Sequence, residues 1–161
     1  MTLGTVTSAE ALIFSDISFE WADSYDAKDW DRLRQILSPT LAIDYTEVTG
    51  KKWDSMSAED FVAMMSSKGL LGDPLVDTQH FLGGRKFVRT SDDAVSGDWQ
   101  LRAAHQRYTG SDKKTVEAKG HGHAVIRHHY KRENGEWKLC GFKPTVRWNE
   151  FDFDKIFKGD A

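Results

Sequence analysis

The chain has 161 residues, a net charge of −3, 39% hydrophobic and 29% charged residues. That length suits a single domain spanning residues 1–161, with enough chain to bury a core unaided. The acids and bases are interspersed, which excludes the basic footprint of a nucleic-acid binder and a charged tail; no stretch is apolar for long enough to span a membrane.

Cys140 is the single cysteine, so no internal disulfide forms and the fold does not lean on an oxidising compartment. The first residues lack a basic region followed by an apolar run, which argues against a secretory signal. The expectation is a cytoplasmic protein. Six Trp, nine Phe and four Tyr suit both a core and a pocket for a flat ring-shaped ligand.

The first third of the sequence reads as helix. Ser8 is the expected N-cap, and Ile13, Ile17, Trp21 and Ala22 recur at helical spacing, with Tyr25 one turn past Trp21. A second helix is expected over residues 29–37, stopped by Pro39, then a strand over 41–48 in which Leu41, Ile43 and Tyr45 share a face. A third helix begins at Ser57 and runs through Met65, closed by Gly69, Gly72 and Pro74.

Strands follow, expected over residues 77–81, 85–89, 94–108, 115–132 and 136–147. Gly83-Gly84, Ser91-Asp92-Asp93, Gly110-Ser111-Asp112 and Glu133-Asn134-Gly135 are the separating turns. Helices followed by a long antiparallel meander make an α+β pattern. A curved mixed or antiparallel sheet packed on N-terminal helices would enclose a cavity in a cone-shaped barrel. Phe151, Phe153, Ile156 and Phe157 form an apolar tail suited to a short helical lid.

His105 is the sharpest chemical candidate. Alternation places Leu101, Ala103 and His105 on one face and Gln100, Arg102 and Gln106 on the other. An inward imidazole is either a core group satisfied by the backbone or a base near neutral pH. His80, alone at a strand end, is compatible with a structural or surface role. Tyr25 and Tyr45 are core tyrosines or a pair of phenols that polarise a carbonyl. Asp26 is a turn residue or the group that holds an imidazole through its N–H.

His121, His123 and His129 share strand parity but lack a supporting carboxylate or cysteine, so no metal site is assigned and an oligomer contact is preferred. No dinucleotide fingerprint, phosphate loop or nucleophile elbow is present, and Cys140 reads as a buried inert thiol.

Long colinear strings resemble the scytalone dehydratase family of fungal naphthalenediol melanin synthesis. They include Glu20-Trp21-Ala22-Asp23-Ser24-Tyr25-Asp26, Leu71-Gly72-Asp73-Pro74, Thr78-Gln79-His80-Phe81, His105-Gln106-Arg107-Tyr108 and Glu150-Phe151-Asp152-Phe153-Asp154. The resemblance implies a nuclear-transport-factor-2-like α+β cone, a homotrimer, no metal or organic cofactor, and removal of water from a cyclic β-hydroxy ketone of polyketide origin. It carries acid/base roles onto His80 and His105, has Asp26 orient His105, and has Tyr25 and Tyr45 hold a water against the substrate carbonyl. Trp21, Met64, Leu70, Pro144, Phe153 and Phe157 would wall or cap the pocket.

Two positions depart from the family pattern: Ala124 and Ile126 stand where the family has a serine and an asparagine that meet the substrate's polar groups. Dehydratase machinery with an altered recognition set implies a more apolar polyketide-derived ring than scytalone. An isomerase or cyclase working in the same cavity, and a non-catalytic binding module, are the competing readings.

Overall fold

A computed structural model describes residues 4–159. Helix α1 spans Ser8–Ala27 and starts one residue earlier than expected, because Thr7 and not Ser8 is its N-cap. Glu10 N–H donates to Thr7 Oγ1 at 3.2 Å and Thr7 N–H to Glu10 Oε2 at 3.0 Å, a reciprocal capping box. The buried face of α1 is Phe14, Ile17, Ser18, Trp21, Ala22, Ser24 and Tyr25, whereas Ile13 is 43% exposed. The stripe is thus rotated by one residue from the expected one.

Helix α2, Trp30–Ile36, is capped by Asp29. Strand β1 begins directly at Leu37 and ends at Tyr45. Pro39 therefore lies inside a strand instead of ending a helix. It is tolerated because the pairing of β1 with the last strand is interrupted between Leu37 and Ala42. Residues expected to extend β1 instead form a single helical turn, α3, Thr46–Thr49.

Strand β2, Lys51–Ser57, pairs antiparallel with β1 and was not anticipated. Its apolar residues, Trp53 and Met56, stand three apart across an irregularity in the pairing, so the period-two signal is absent. Helix α4, Ala58–Met65, is capped by Ser57 as expected.

Four long antiparallel strands complete the sheet: β3 Val76–Ser91, β4 Ala94–Tyr108, β5 Val116–Glu133 and β6 Glu136–Phe151. Gly83-Gly84 is no turn; β3 runs through it with a register shift between Leu82 and Arg85. The Asn134-Gly135 turn has positive φ at both residues, as a tight hairpin of this type requires.

The strand order is β2-β1-β6-β5-β4-β3. Only β1 and β6 run parallel, so the sheet is mixed. The barrel expected from the sequence stays open, with β2 and β3 as its edges. Helix α1 packs against β3 and β6, and the main core forms between the helices and one face of the sheet. Each large side chain fully buried there contributes about 1.5–3 kcal/mol. The helical lid is reduced to a 3-10 turn, Phe153–Lys155, followed by buried Ile156.

Candidate active site

Asp26 sits in the last turn of α1, where the helix dipole disfavours a carboxylate. Three donors offset this. Thr78 Oγ1 and the His80 backbone N–H each donate at 2.8 Å, and His80 Nδ1 at 2.7 Å. An acceptor at Nδ1 places the imidazole proton there and leaves the Nε2 lone pair free to act as a base. The side chains of His80 and Asp26 are only 10% and 17% exposed.

The expectation that Asp26 orients His105 is therefore corrected: the carboxylate holds His80. Thr78 stands opposite His105 across the β3–β4 ladder, and His80 lies two residues further along β3 on the same face. The end of α1 packs against that edge strand and meets His80 first.

His105 faces inward as alternation required and is 5% exposed. Its Nδ1 donates to the Gly120 carbonyl at 3.0 Å, again leaving a lone pair on Nε2. Burial, reinforced by the neighbouring His80, pushes its pKa down to about 3, so the ring stays neutral. The His80 and His105 ring centroids are 5.8 Å apart, edge to face. Phe153 and Phe157 close over His105 with centroids at 5.2 and 5.5 Å.

Tyr25 is 1% exposed, and its hydroxyl has no hydrogen-bond partner. Burial raises its pKa far above the ordinary value, and the nearby Tyr45 phenol raises it further. Burial raises that of Tyr45 as well. Both phenols therefore remain O–H donors across the working pH range. Trp21 Nε1, also buried without a partner, lies near enough to Tyr25 to oppose that rise. The Trp21 ring stands 4.9 Å from Tyr25 and 5.6 Å from His80, and Tyr25 stands 5.4 Å from His80. Tyr45 joins the group through Phe142, 5.5 Å away. All five acid, base and phenol candidates thus meet in one aromatic shell, and Trp21, expected only as a wall, adds an N–H.

The other residues expected to wall the pocket lie on the inner face of the sheet or against the main core. Ile126 and Pro144 are buried partners across β5 and β6, and Ala124 is half-buried opposite Leu101 and Val146. Met64, Leu70 and Phe157 pack on the same core, partly buried.

Sequence reasoning missed Thr78, Gly120, Phe142 and Arg107. Thr78 shares the parity of His80, which was the available signal. Gly120 lets the tail come close: a Cβ there would sit 2.3 Å from the Phe153 Cα. Buried Arg107 ties the tail down, with Nε donating to the Ile156 carbonyl at 2.6 Å and Nη2 to Asp73 Oδ2 at 2.5 Å.

The metal-like histidines lie elsewhere. His123 stacks on Trp148 at 4.2 Å and faces Glu150 at 3.3 Å on the side of the sheet away from the helices. Among the described residues no three His, Cys, Asp or Glu side chains are placed to hold one metal ion. No helix among them is long and apolar enough to cross a membrane.

The family model described as scytalone dehydratase matches residues 5–161. Scytalone dehydratase arp1 of Aspergillus fumigatus is 53% identical over 154 residues, covering 96% of this chain and 92% of the relative. Scytalone dehydratase of Pyricularia oryzae is 50% identical over 159 residues, covering 95% and 92%. Among solved structures, the Kfla4162 protein of Kribbella flavida superposes with a TM-score of 0.76 at 19% identity, covering 88% of this chain and 93% of that one; this likeness concerns the fold. Matched by the family model over residues 5–161 and about half identical to relatives along nearly its whole length, the chain belongs to the scytalone dehydratase family.

Proposed function

We propose that this chain is a hydro-lyase of fungal pigment synthesis that removes water from a cyclic β-hydroxy ketone of polyketide origin, with His80 as the proton carrier. Family membership supports the reaction class. The observation that carries the assignment to His80 is its 2.7 Å contact with Asp26 inside a buried shell of rings.

His80 Nε2 removes the proton from the carbon next to the ketone. Charge then builds on the ketone oxygen, where the hydroxyls of Tyr25 and Tyr45 act as donors; one such donor is worth about 10²–10³ in rate. The imidazolium formed at His80 pairs with Asp26. His105, neutral and protonated on Nδ1, accepts from the substrate's β-hydroxyl at Nε2 and aligns its C–O bond. His80 returns its proton to that oxygen as the C–O bond breaks. One C–H and one C–O bond are lost, a C=C bond forms, water departs and the side chains end as they began. The apolar tail over His105 excludes solvent and strengthens each of these interactions.

Ala124 and Ile126 offer only carbon to the ring, which supports a substrate more apolar there than scytalone. Incubation with β-hydroxy tetralones should give a product lighter by one water, read by mass spectrometry. The His80→Ala variant should slow this by about a thousandfold, the scale of general acid–base catalysis. A product of unchanged mass would replace elimination with isomerisation, and a near-normal rate in the variant would remove His80 from its role.

The same proposal includes a homotrimer. Phe81, Arg102, His123 and Trp148 form one row across β3, β4, β5 and β6 on the face away from the helices. Phe81 and Trp148 are 62% and 56% exposed, more apolar surface than an isolated subunit needs to show. Sedimentation of the protein as a monomer at micromolar concentration would sink this part.

A further inference from the structure

The hydrogen bonds behind β5 hold a third histidine in one tautomer. Ile126, His128 and Tyr130 all point toward the helices and are buried. Trp99 Nε1 can only donate, so Tyr130 Oη accepts from it, at 3.0 Å. Ser18 Oγ lies 2.6 Å from Tyr130 Oη and 2.7 Å from His128 Nδ1.

Two proton arrangements fit these distances. With the imidazole proton on Nδ1, Ser18 donates to Tyr130, and both the Tyr130 proton and the Nε2 lone pair are buried with no partner among the described residues. With Nδ1 as acceptor, Trp99 donates to Tyr130, Tyr130 to Ser18 and Ser18 to His128, and the Nε2 proton is the one group left over. The second arrangement leaves one buried polar group unpaired where the first leaves two, so it is the one that holds, and the His128 proton sits on Nε2. Burial pushes the pKa of this ring down to about 3, which keeps it neutral and leaves Nε2–H as its one donor.

That Nε2 is buried and has no partner. The His128 ring stands edge-on to Trp21 at 4.8 Å and to Phe142 at 6.2 Å. The same indole meets His80. One indole therefore touches both the proton carrier and the unpartnered donor. On the same face of β5, Ala124 and Ile126 supply carbon only, so His128 carries the nearest polar atom of that strand on this side.

We propose that His128 Nε2–H is a specificity-determining donor that binds an oxygen of the substrate, hydroxyl or carbonyl, on the ring remote from the carbon that loses its proton. This rests on the dehydratase reading and deepens it by naming where substrate selection occurs. Ser18, Tyr130 and Trp99 are positioning residues, acting through His128.

The test uses two β-hydroxy tetralones that differ only in a phenolic hydroxyl on the benzenoid ring. Binding is followed by tryptophan fluorescence, and water loss is followed separately. The wild type should bind the hydroxylated compound about tenfold to a hundredfold more tightly. His128→Leu should erase that preference, with the change in KM and little in kcat, and His128→Gln should restore part of it through its amide N–H. Equal binding of the two compounds by the wild type, or an unchanged preference in a folded His128→Leu protein, overturns the proposal.

Should both variants unfold, as judged by circular dichroism, the wild type with isotope-labelled histidine decides by NMR. A proton on Nε2 that moves downfield with the hydroxylated compound alone supports the proposal. A proton on Nδ1, or equal movement with both compounds, overturns it. The expected binding preference without any water loss would overturn the reaction while leaving the role of His128 standing.

Discussion

Two ends of the same aromatic shell handle an imidazole in opposite ways. At the edge strand, His80 is tied through Nδ1 to a carboxylate. On β4 and β5, His105 and His128 are tied through Nδ1 to a carbonyl and a hydroxyl. The geometry is the same, since each ring is anchored by one nitrogen and offers the other. The partner's charge differs. A carboxylate stabilises the imidazolium that proton abstraction creates, whereas a neutral partner in a buried place leaves the ring neutral, with a pKa of about 3 for both. Anchoring orients a histidine; only the charge of the anchor makes it a proton carrier.

The sharpest way to break that contrast is Asp26→Asn. The amide keeps the shape and removes the charge, and its N–H can donate to Nδ1 and move the His80 proton to Nε2, where the base should be. Turnover should fall about a hundredfold or more, measured as kcat for water loss. His105→Gln keeps an acceptor near the same place and should cost about tenfold. Equal losses in the two variants would end the division of labour between the histidines.

A smaller effect is expected where the tail seals the shell. In Gly120→Ala the new methyl group would meet the Phe153 backbone at 2.3 Å. The tail must shift, water gains access to His105, and kcat/KM should drop about tenfold, the lower end of what displaced positioning groups cost. Unchanged kinetics would mean that the tail is not needed to shield the reaction.

The smallest effect concerns acid stability. His105 and His128 bind protons near pH 3 when folded and near their ordinary value of 6.5 when unfolded. Between these values the unfolded chain holds more protons, so stability declines as the pH falls through that window and levels off below it. His128→Gln should flatten the fall of melting temperature with acid. An identical slope in the variant would place the acid sensitivity elsewhere.

Several parts of this picture were legible in the residues. The alternation of Leu101, Ala103 and His105 turned His105 inward, and Asn134-Gly135 marked its hairpin because only a tight turn asks for two positive φ angles in succession. Strand β2 was not legible, since its irregular pairing with β1 removes the alternation by which strands are recognised. Gly83-Gly84 carries the composition of a turn but serves as a bulge. Ile13 and Phe14 both fit a helical stripe, and only packing on the sheet chose Phe14.

The sequence by itself determined the family, the order of helices and long strands, and the set of imidazole, phenol and carboxylate groups available. Only the tertiary structure decided which of them touch. Asp26 and His80 are 54 residues apart, and Ser18 and His128 are 110 apart. Local patterning can say that a side chain faces inward, but hydrogen-bond pairing depends on how α1 lies across the sheet, which is set by the packing of Phe14, Trp21 and Tyr25 as a whole.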